Sequence, residues 1–447
     1  MMRQREGKPG PGAAVRPVAI TGMGIVSCIG CSLDEVSRSL EAGRSGIVLD
    51  ETRKKLGFRS SLTGRITGLD LESRGCTRKM ARTMGEPAQY AFAATSDAIA
   101  DAGLDTRSLA GPRCGIIFGN DSCVQSSVEA IDITRKEGGT HFIGGGQIFK
   151  TMTSTVTMNL ATILGVQGAN WSISAACASG AHSIGQALML VRSGLQDIVI
   201  AGGAQETSWE VMTSFDALGC FSMRESDPEG ASRPFDAERD GLVPSGGAAA
   251  LVLEDLAHAR TRGARIRGMI SGYGFSADGS SYLSKPDSGG AVRAMRMALN
   301  DARVTPGEVD YINAHATSTP VGDASEAEAI AEVFGTSVPV SSTKSMTGHE
   351  CWMAGASEVV YTVLMAQGGF IAPNVNFTRF DDSTVPINVA ARTEHRRIGV
   401  AVSNSFGFGG TNAVLVLDFR EFPGGGKDDQ GGGGGAGGQD SRGGVRD

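Results

Sequence analysis

The feature that most limits the fold is a series of short apolar runs, each about one buried strand long, separated by stretches with helical spacing. Runs at 18–21, 114–119, 197–201, 248–254, 309–315, 338–341, 400–404 and 413–419 read as strands. In 86–103, 177–193, 289–302, 323–334 and 354–367 apolar residues recur every three or four positions, which makes one face of an amphipathic helix. Strands with no polar side must be covered on both faces, so sheets sandwiched by helix layers are expected, an α/β protein. A charged stretch, HARTRGARI at 258–266, lies between two strand patterns. It divides the chain into a first half, 17–262, and a second half, 263–421. No strong sequence repeat links the halves, although both pass from strand through a loop of small or polar residues into helix.

Composition excludes several classes. With 447 residues, 40% hydrophobic and 20% charged, the chain carries the core of two or more domains of an ordinary globular protein. It has no apolar run long enough to cross a bilayer, so no membrane is expected. A net charge of -7 argues against nucleic acid as the main partner. Eight cysteines without regular spacing, and an N-terminus without an apolar signal core, point to a reducing, cytoplasmic setting. Residues 1–16 read as a flexible lead. The glycine-rich stretch 422–447 has nothing with which to bury a core and is expected to be disordered.

Four segments place reactive side chains at strand ends. In SISAACASGAH, Cys177 stands where a strand pattern becomes a helix pattern, among residues almost free of bulk. A helix N-terminus there is expected to favour the thiolate, although a free cysteine more often serves as a small buried apolar residue. In NAHATSTPVGDASEAE, His315 ends a strand pattern, Thr317 and Thr319 follow, and Asp323 with Glu326 has the spacing of a capping box. In KSMTGHECWMAG, Lys344 and His349 are five apart in a loop leading to a helix. In NSFGFGGTN, a glycine turn joins two strands, and its amides could donate to an oxyanion. His182 reads as packed, and GMG at 22–24 lacks the third glycine of a dinucleotide fingerprint. Cys28-Ile-Gly-Cys31 has no second ligand pair and reads as a structural loop. No metal or cofactor is expected.

Together, in order and spacing, these four motifs resemble those of the β-ketoacyl-acyl carrier protein synthases, the synthase I/II branch and within it synthase I. QDIVIAGGAQE, FDALGCFS, SRPFDAERDG and GFIAPNVN extend the likeness from about Val18 to Leu417. The resemblance implies the thiolase fold, five αβαβα layers built from two similar halves, usually in a homodimer. It implies decarboxylative condensation of an acyl group with malonyl-acyl carrier protein, giving 3-oxoacyl-acyl carrier protein and CO2 in fatty-acid elongation. Cys177 would accept the acyl group, His315 and His349 would stabilise the enolate, and Lys344 would tune that pair. Glu326 would organise the site through water or a cation. The amides of Cys177 and Phe408 would form the oxyanion hole, Phe408 gating the acyl pocket, while Thr317 and Thr319 would hold the pantetheine arm. Arg78, Lys79 and Arg82 would dock the acidic acyl carrier protein. A polyketide or aryl-polyene ketosynthase keeps the same chemistry. A non-catalytic chain-length factor is opposed by Cys177, and a coenzyme A thiolase by His349. One departure stands out: where the family commonly continues with small residues after the second histidine, this chain has Glu350-Cys351-Trp352-Met353.

Overall fold

The computed structural model describes residues 15–279 and 282–422, so the glycine-rich tail and most of the expected lead lie outside the described residues. The strands β1 (Val18–Val26), β2 (Cys114–Gly119), β3 (Asn170–Ile173), β4 (Ile198–Gln205), β5 (Gly247–Asp255) and β6 (Gly268–Ala277) join β7 (Tyr311–Asn313), β8 (Pro339–Ser341), β9 (Asn388–Val389), β10 (Val400–Gly407) and β11 (Thr411–Asp418). They form one mixed sheet in the order β9-β8-β7-β10-β11-β6-β1-β5-β4-β2-β3.

The order contains a repeat that the residues barely show. In the first half, β1 pairs antiparallel with β5 and β5 with β4, after which β4, β2 and β3 run parallel. The second half repeats this with β6, β11 and β10, then β7 and β8. The halves meet where β1 pairs with β6, Val18 opposite Ile270.

Five helices complete the layers. α1 (Glu86–Asp101) covers the outer face of the first half, while α3 (Ser288–Ala302) covers that of the second and packs against α4 (Pro320–Phe334). Between the halves lie α2 (Ser179–Arg192) and α5 (Ala354–Gly368), which touch strands of both. The result is the expected αβαβα stack. Three large apolar cores fill the stack, one beneath each outer helix layer and one around the central helices, which includes Ile184, Leu188, Val191, Val360 and Val363.

β6 is absent from the expected strands because glycines break its apolar run. The packing gives the reason. A Cβ at Gly272 or Gly274 would strike the carbonyl oxygen of Ala298 or Ala294 in α3. Gly22 and Gly24 on β1 stand in the same relation to Ala98 and Ala94 of α1. These glycines let a helix lie directly on a strand, the role that close backbone approach demands.

Candidate active site

Beyond β3 the chain makes one 3-10 turn, Ala176–Ala178, before α2 begins. Ala176 has φ 46, a left-handed conformation that an L-residue adopts only when its surroundings hold it there. Its N–H donates to Asp121 Oδ2 at 3.0 Å, and the Ser179 hydroxyl donates to its carbonyl at 2.7 Å. The turn aims Cys177 inward, leaving it 5% exposed.

Its Sγ lies 3.0 Å from His349 Nε2, and the backbone N–H groups of Phe408 and of Cys177 itself favour its charged form. Burial pushes the thiol up to about 12, with the Lys344 ammonium and the two amides pulling the other way. The expected lowering by the helix N-terminus is therefore corrected for the unloaded site. Desolvation of the thiolate exceeds what a dipole end supplies, typically about 0.3–1 kcal/mol.

His315 follows β7, and Glu326 holds its loop. Glu326 accepts from the N–H of His315 at 2.9 Å, of Ala316 at 2.6 Å, and from Asn404 Nδ2 at 2.9 Å. This corrects the capping-box reading. Pro320 at the first helical position starts α4 three residues earlier than expected, with Thr319 as N-cap. Asp323 then turns inward, accepting from the N–H of Thr317 at 3.0 Å and of Phe235 at 2.8 Å. Both carboxylates serve buried loop amides that need acceptors. Burial raises Glu326 to about 7 and Asp323 to about 6, against these hydrogen bonds.

His349 is fixed by its backbone, donating to the Val243 carbonyl at 2.7 Å and accepting from the Ser245 N–H at 2.9 Å. The rings of His315 and His349 meet edge to face with centroids 5.3 Å apart. Cys177, His315 and His349 bring one side-chain atom each to within 4.8 Å of one another. Burial first, and then the Lys344 cation, hold both histidines well below the ordinary imidazole range, so they are neutral. Lys344 is buried and ion-paired with Glu358 on α5. Burial pushes the Glu358 carboxyl up to about 8 against the pull of that ammonium.

A cavity of about 500 Å³ leads to this cluster, lined by Cys177, His315, His349, Thr317, Thr319 and Phe408 among others. The hydroxyls of Thr317 and Thr319 are 3.1 Å apart. Phe408 stands half-exposed between Gly407 and Gly409, its ring stacked on Phe215 with centroids 6.3 Å apart. Arg78, Lys79 and Arg82 lie away from the cavity on and beside an exposed one-turn helix, Arg78–Ala81. None of the three has a carboxylate partner among the described residues.

The structure settles the lesser motifs. His182 places Nδ1 2.6 Å from the Tyr273 hydroxyl and Nε2 2.9 Å from Thr411 Oγ1, so it is packed and satisfied. Cys28 and Cys31 donate to different carbonyls, those of Thr347 and Thr67. Sequence reasoning missed Glu358, whose only signal is a carboxylate inside a helix that is otherwise apolar over most of its length. It also missed Asp121, Ser122 and the part played by Asn404 within NSFGFGGTN.

Comparison with known proteins agrees with this geometry. Residues 15–259 match the family model "Beta-ketoacyl synthase, N-terminal domain", and residues 267–378 match the corresponding C-terminal domain. The chain is 44% identical over 408 residues to 3-oxoacyl-[acyl-carrier-protein] synthase 1 of Escherichia coli strain K12, covering 90% of this chain and 99% of that one. A crystal structure of a beta-ketoacyl synthase from Burkholderia phymatum STM815 superposes with TM-score 0.86 at 34% identity, over 90% of this chain and 99% of that one. A type II PKS ketosynthase, bound to the hexaketide and in complex with its acyl-carrier protein (AntDE:AntF), gives TM-score 0.81 at 29% identity, over 90% and 99%.

Proposed function

Since the chain belongs to the β-ketoacyl synthase family, we propose that it condenses an acyl group held on Cys177 with malonyl-acyl carrier protein, giving 3-oxoacyl-acyl carrier protein and CO2 in fatty-acid elongation. The observation that carries this reading is the convergence of one thiol and two neutral imidazoles at the end of a single cavity.

The chemistry follows from the donors. Cys177 attacks the acyl thioester, and the N–H groups of Cys177 and Phe408, which favour negative charge at this thiol, receive the developing oxyanion. His349 Nε2 is close enough to take the thiol proton as the new C–S bond forms, and it returns that proton to the carrier thiolate as the adduct collapses and the carrier C–S bond breaks, which leaves the imidazole neutral. The released carrier is replaced by the malonyl-loaded one, its pantetheine arm held by Thr317 and Thr319. Loss of CO2 leaves the electron pair on the malonyl α-carbon as an enolate. His315 and His349 donate to the enolate oxygen, and Lys344 keeps both imidazoles neutral and hence able to donate without acting as acids. The enolate carbon attacks acyl-Cys177, and collapse of the tetrahedral adduct breaks the C–S bond and expels the Cys177 thiolate, which takes a proton from solvent water. Glu326 organises the His315 loop, directly through its amides and further through water or a cation.

The remaining assignments have separate support. The basic trio Arg78, Lys79 and Arg82 has no carboxylate partner among the described residues, which suits docking of an acidic carrier. Homodimerisation is supported by β3, which pairs on one side only and ends the sheet, with Trp171 exposed on it. Phe142, Ile148, Phe149 and Met152, on segments not far along the chain, are also exposed. The halves 17–262 and 263–421 follow the repeat in strand order. A reducing, cytoplasmic setting is supported by eight cysteines that are all free. A thiolase-like role for Cys351 is disfavoured, because its thiol donates to the His349 carbonyl and does not line the cavity.

The test is release of labelled CO2 from malonyl-acyl carrier protein with an acyl-loaded primer, the product being followed by mass spectrometry. Release with a 3-oxoacyl product two carbons longer, lost in Cys177→Ala and His349→Ala, is the expected result. A folded wild type that releases none would overturn the proposal.

A further inference from the structure

The cavity reaches Cys177 from the side of Thr317, Thr319 and His315, and Cys351, Trp352 and Phe215 do not line it. Cys177 packs in one buried cluster with Cys351 and Trp352, joined by Ala176 and Phe215. Trp352 is 7% exposed. Its indole Nε1 donates to Ser122 Oγ at 3.0 Å, and its ring leans on Phe215 with centroids 6.0 Å apart. Phe215 in turn stacks on Phe221 and on Phe408. The wall is thus pinned by a hydrogen bond at one end and a row of aromatic rings at the other.

Stereochemistry makes that wall matter. In an acyl-enzyme the carbonyl oxygen is held by the N–H groups of Cys177 and Phe408, and the malonyl carbon must approach from the cavity beside the histidines. The acyl chain is left to extend away from the cavity, toward Cys351, Trp352 and Phe215. On the condensing reading above, we propose that Trp352 determines acyl-chain specificity, closing the chain side of the thiol so that Cys177 accepts short acyl groups of about two to four carbons. One methylene too many in a closed apolar site costs roughly tenfold or more in specificity. Longer groups therefore require the Trp352–Phe215 pair to move.

The experiment uses the full chain with primers of two, four, eight, twelve and sixteen carbons on acyl carrier protein. Acylation of Cys177 is read by intact mass and condensation by CO2 release. Wild type is expected to load the four-carbon primer with kcat/KM at least about tenfold above the twelve-carbon one. Trp352→Ala should raise the twelve-to-four ratio at least about tenfold, and Trp352→Phe should raise it less. If Trp352→Ala fails to fold, Ser122→Ala frees the indole without removing it and should move the ratio in the same direction. An unchanged ratio in folded variants, or equal loading of both primers by wild type, would overturn the proposal. Loading without CO2 release would instead refute the condensing reading, with the chain-length ratio still measured.

Discussion

The turn that carries Cys177 and the turn that carries Trp352 are the same structure used twice. Each is one turn of 3-10 helix, Ala176–Ala178 and Cys351–Met353, leading into a helix of the central layer. Each opens on a left-handed L-residue, Ala176 with φ 46 and Cys351 with φ 44. Each has a glycine at the helix crossing: a Cβ on Gly180 would press on Trp352 and Ala356, and one on Gly355 would press on Ala181. Cys177 and Trp352 therefore occupy equivalent positions. What differs is the approach. β3 reaches its turn almost at once, while β8 is followed by a longer loop holding Lys344 and His349. The scaffold is repeated and the side chains it presents are not; on the proposed reading one half supplies the nucleophile, and the other the donors and a wall.

The largest effect should come from the unequal pair of positions. Cys177→Ala is expected to cost at least about a thousandfold in condensation, as removal of a nucleophile does. Product formation by mass spectrometry checks this, and retention of most activity would mean that the halves share the chemistry. Next, Lys344→Ala leaves Glu358 buried and protonated without its partner and should destabilise the fold by about 1–3 kcal/mol. Chemical denaturation measures it; a variant as stable as wild type would show that the ion pair does not hold the second-half loop.

Symmetric effects of comparable size are expected at the glycines. Gly24→Ala and Gly274→Ala each force a helix off its strand, an overpacking cost of about 1–3 kcal/mol. Similar urea midpoints for the two would sharpen the comparison, and tolerance at one position alone would break it. The smallest effect is a pH slope. Burial raises Glu326 from 4.5 to about 7. Its contribution to stability is thus present below pH 4.5 and is lost as pH rises through 7, because the folded state holds a proton there that the unfolded state has released. Glu326→Gln should flatten the fall in thermal midpoint between pH 5 and 7.5, and an unaltered slope would assign it to other groups.

The sequence disclosed the reactive residues more readily than the repeat. Cys177, His315, Lys344 and His349 stand at strand ends among small residues, a local pattern, and the fold brings them together as expected. The repeat is carried by glycines and alanines at layer contacts, such as Gly22 and Gly24 with Ala98 and Ala94, and these residues show no periodicity in hydrophobicity. The same glycines hid β6. Asp323 and Glu326 have capping spacing, but the amides they serve belong to a loop that only tertiary structure brings near. The thiol pKa was misjudged because a helix end is visible in sequence and burial is not.

The crossing of α2 and α5 bears on how the protein is made. α5 covers strands β4 and β5 of the first half, yet it is synthesised roughly a hundred residues after β5 ends. At about 5–20 residues per second, the inner face of the first half waits on the order of ten seconds on the ribosome for its partner helix. Through that interval the part of that face which α2 does not cover stays open to solvent, and a chain severed between Asp255 and Gly268 would leave each fragment without the other's central helix until they met.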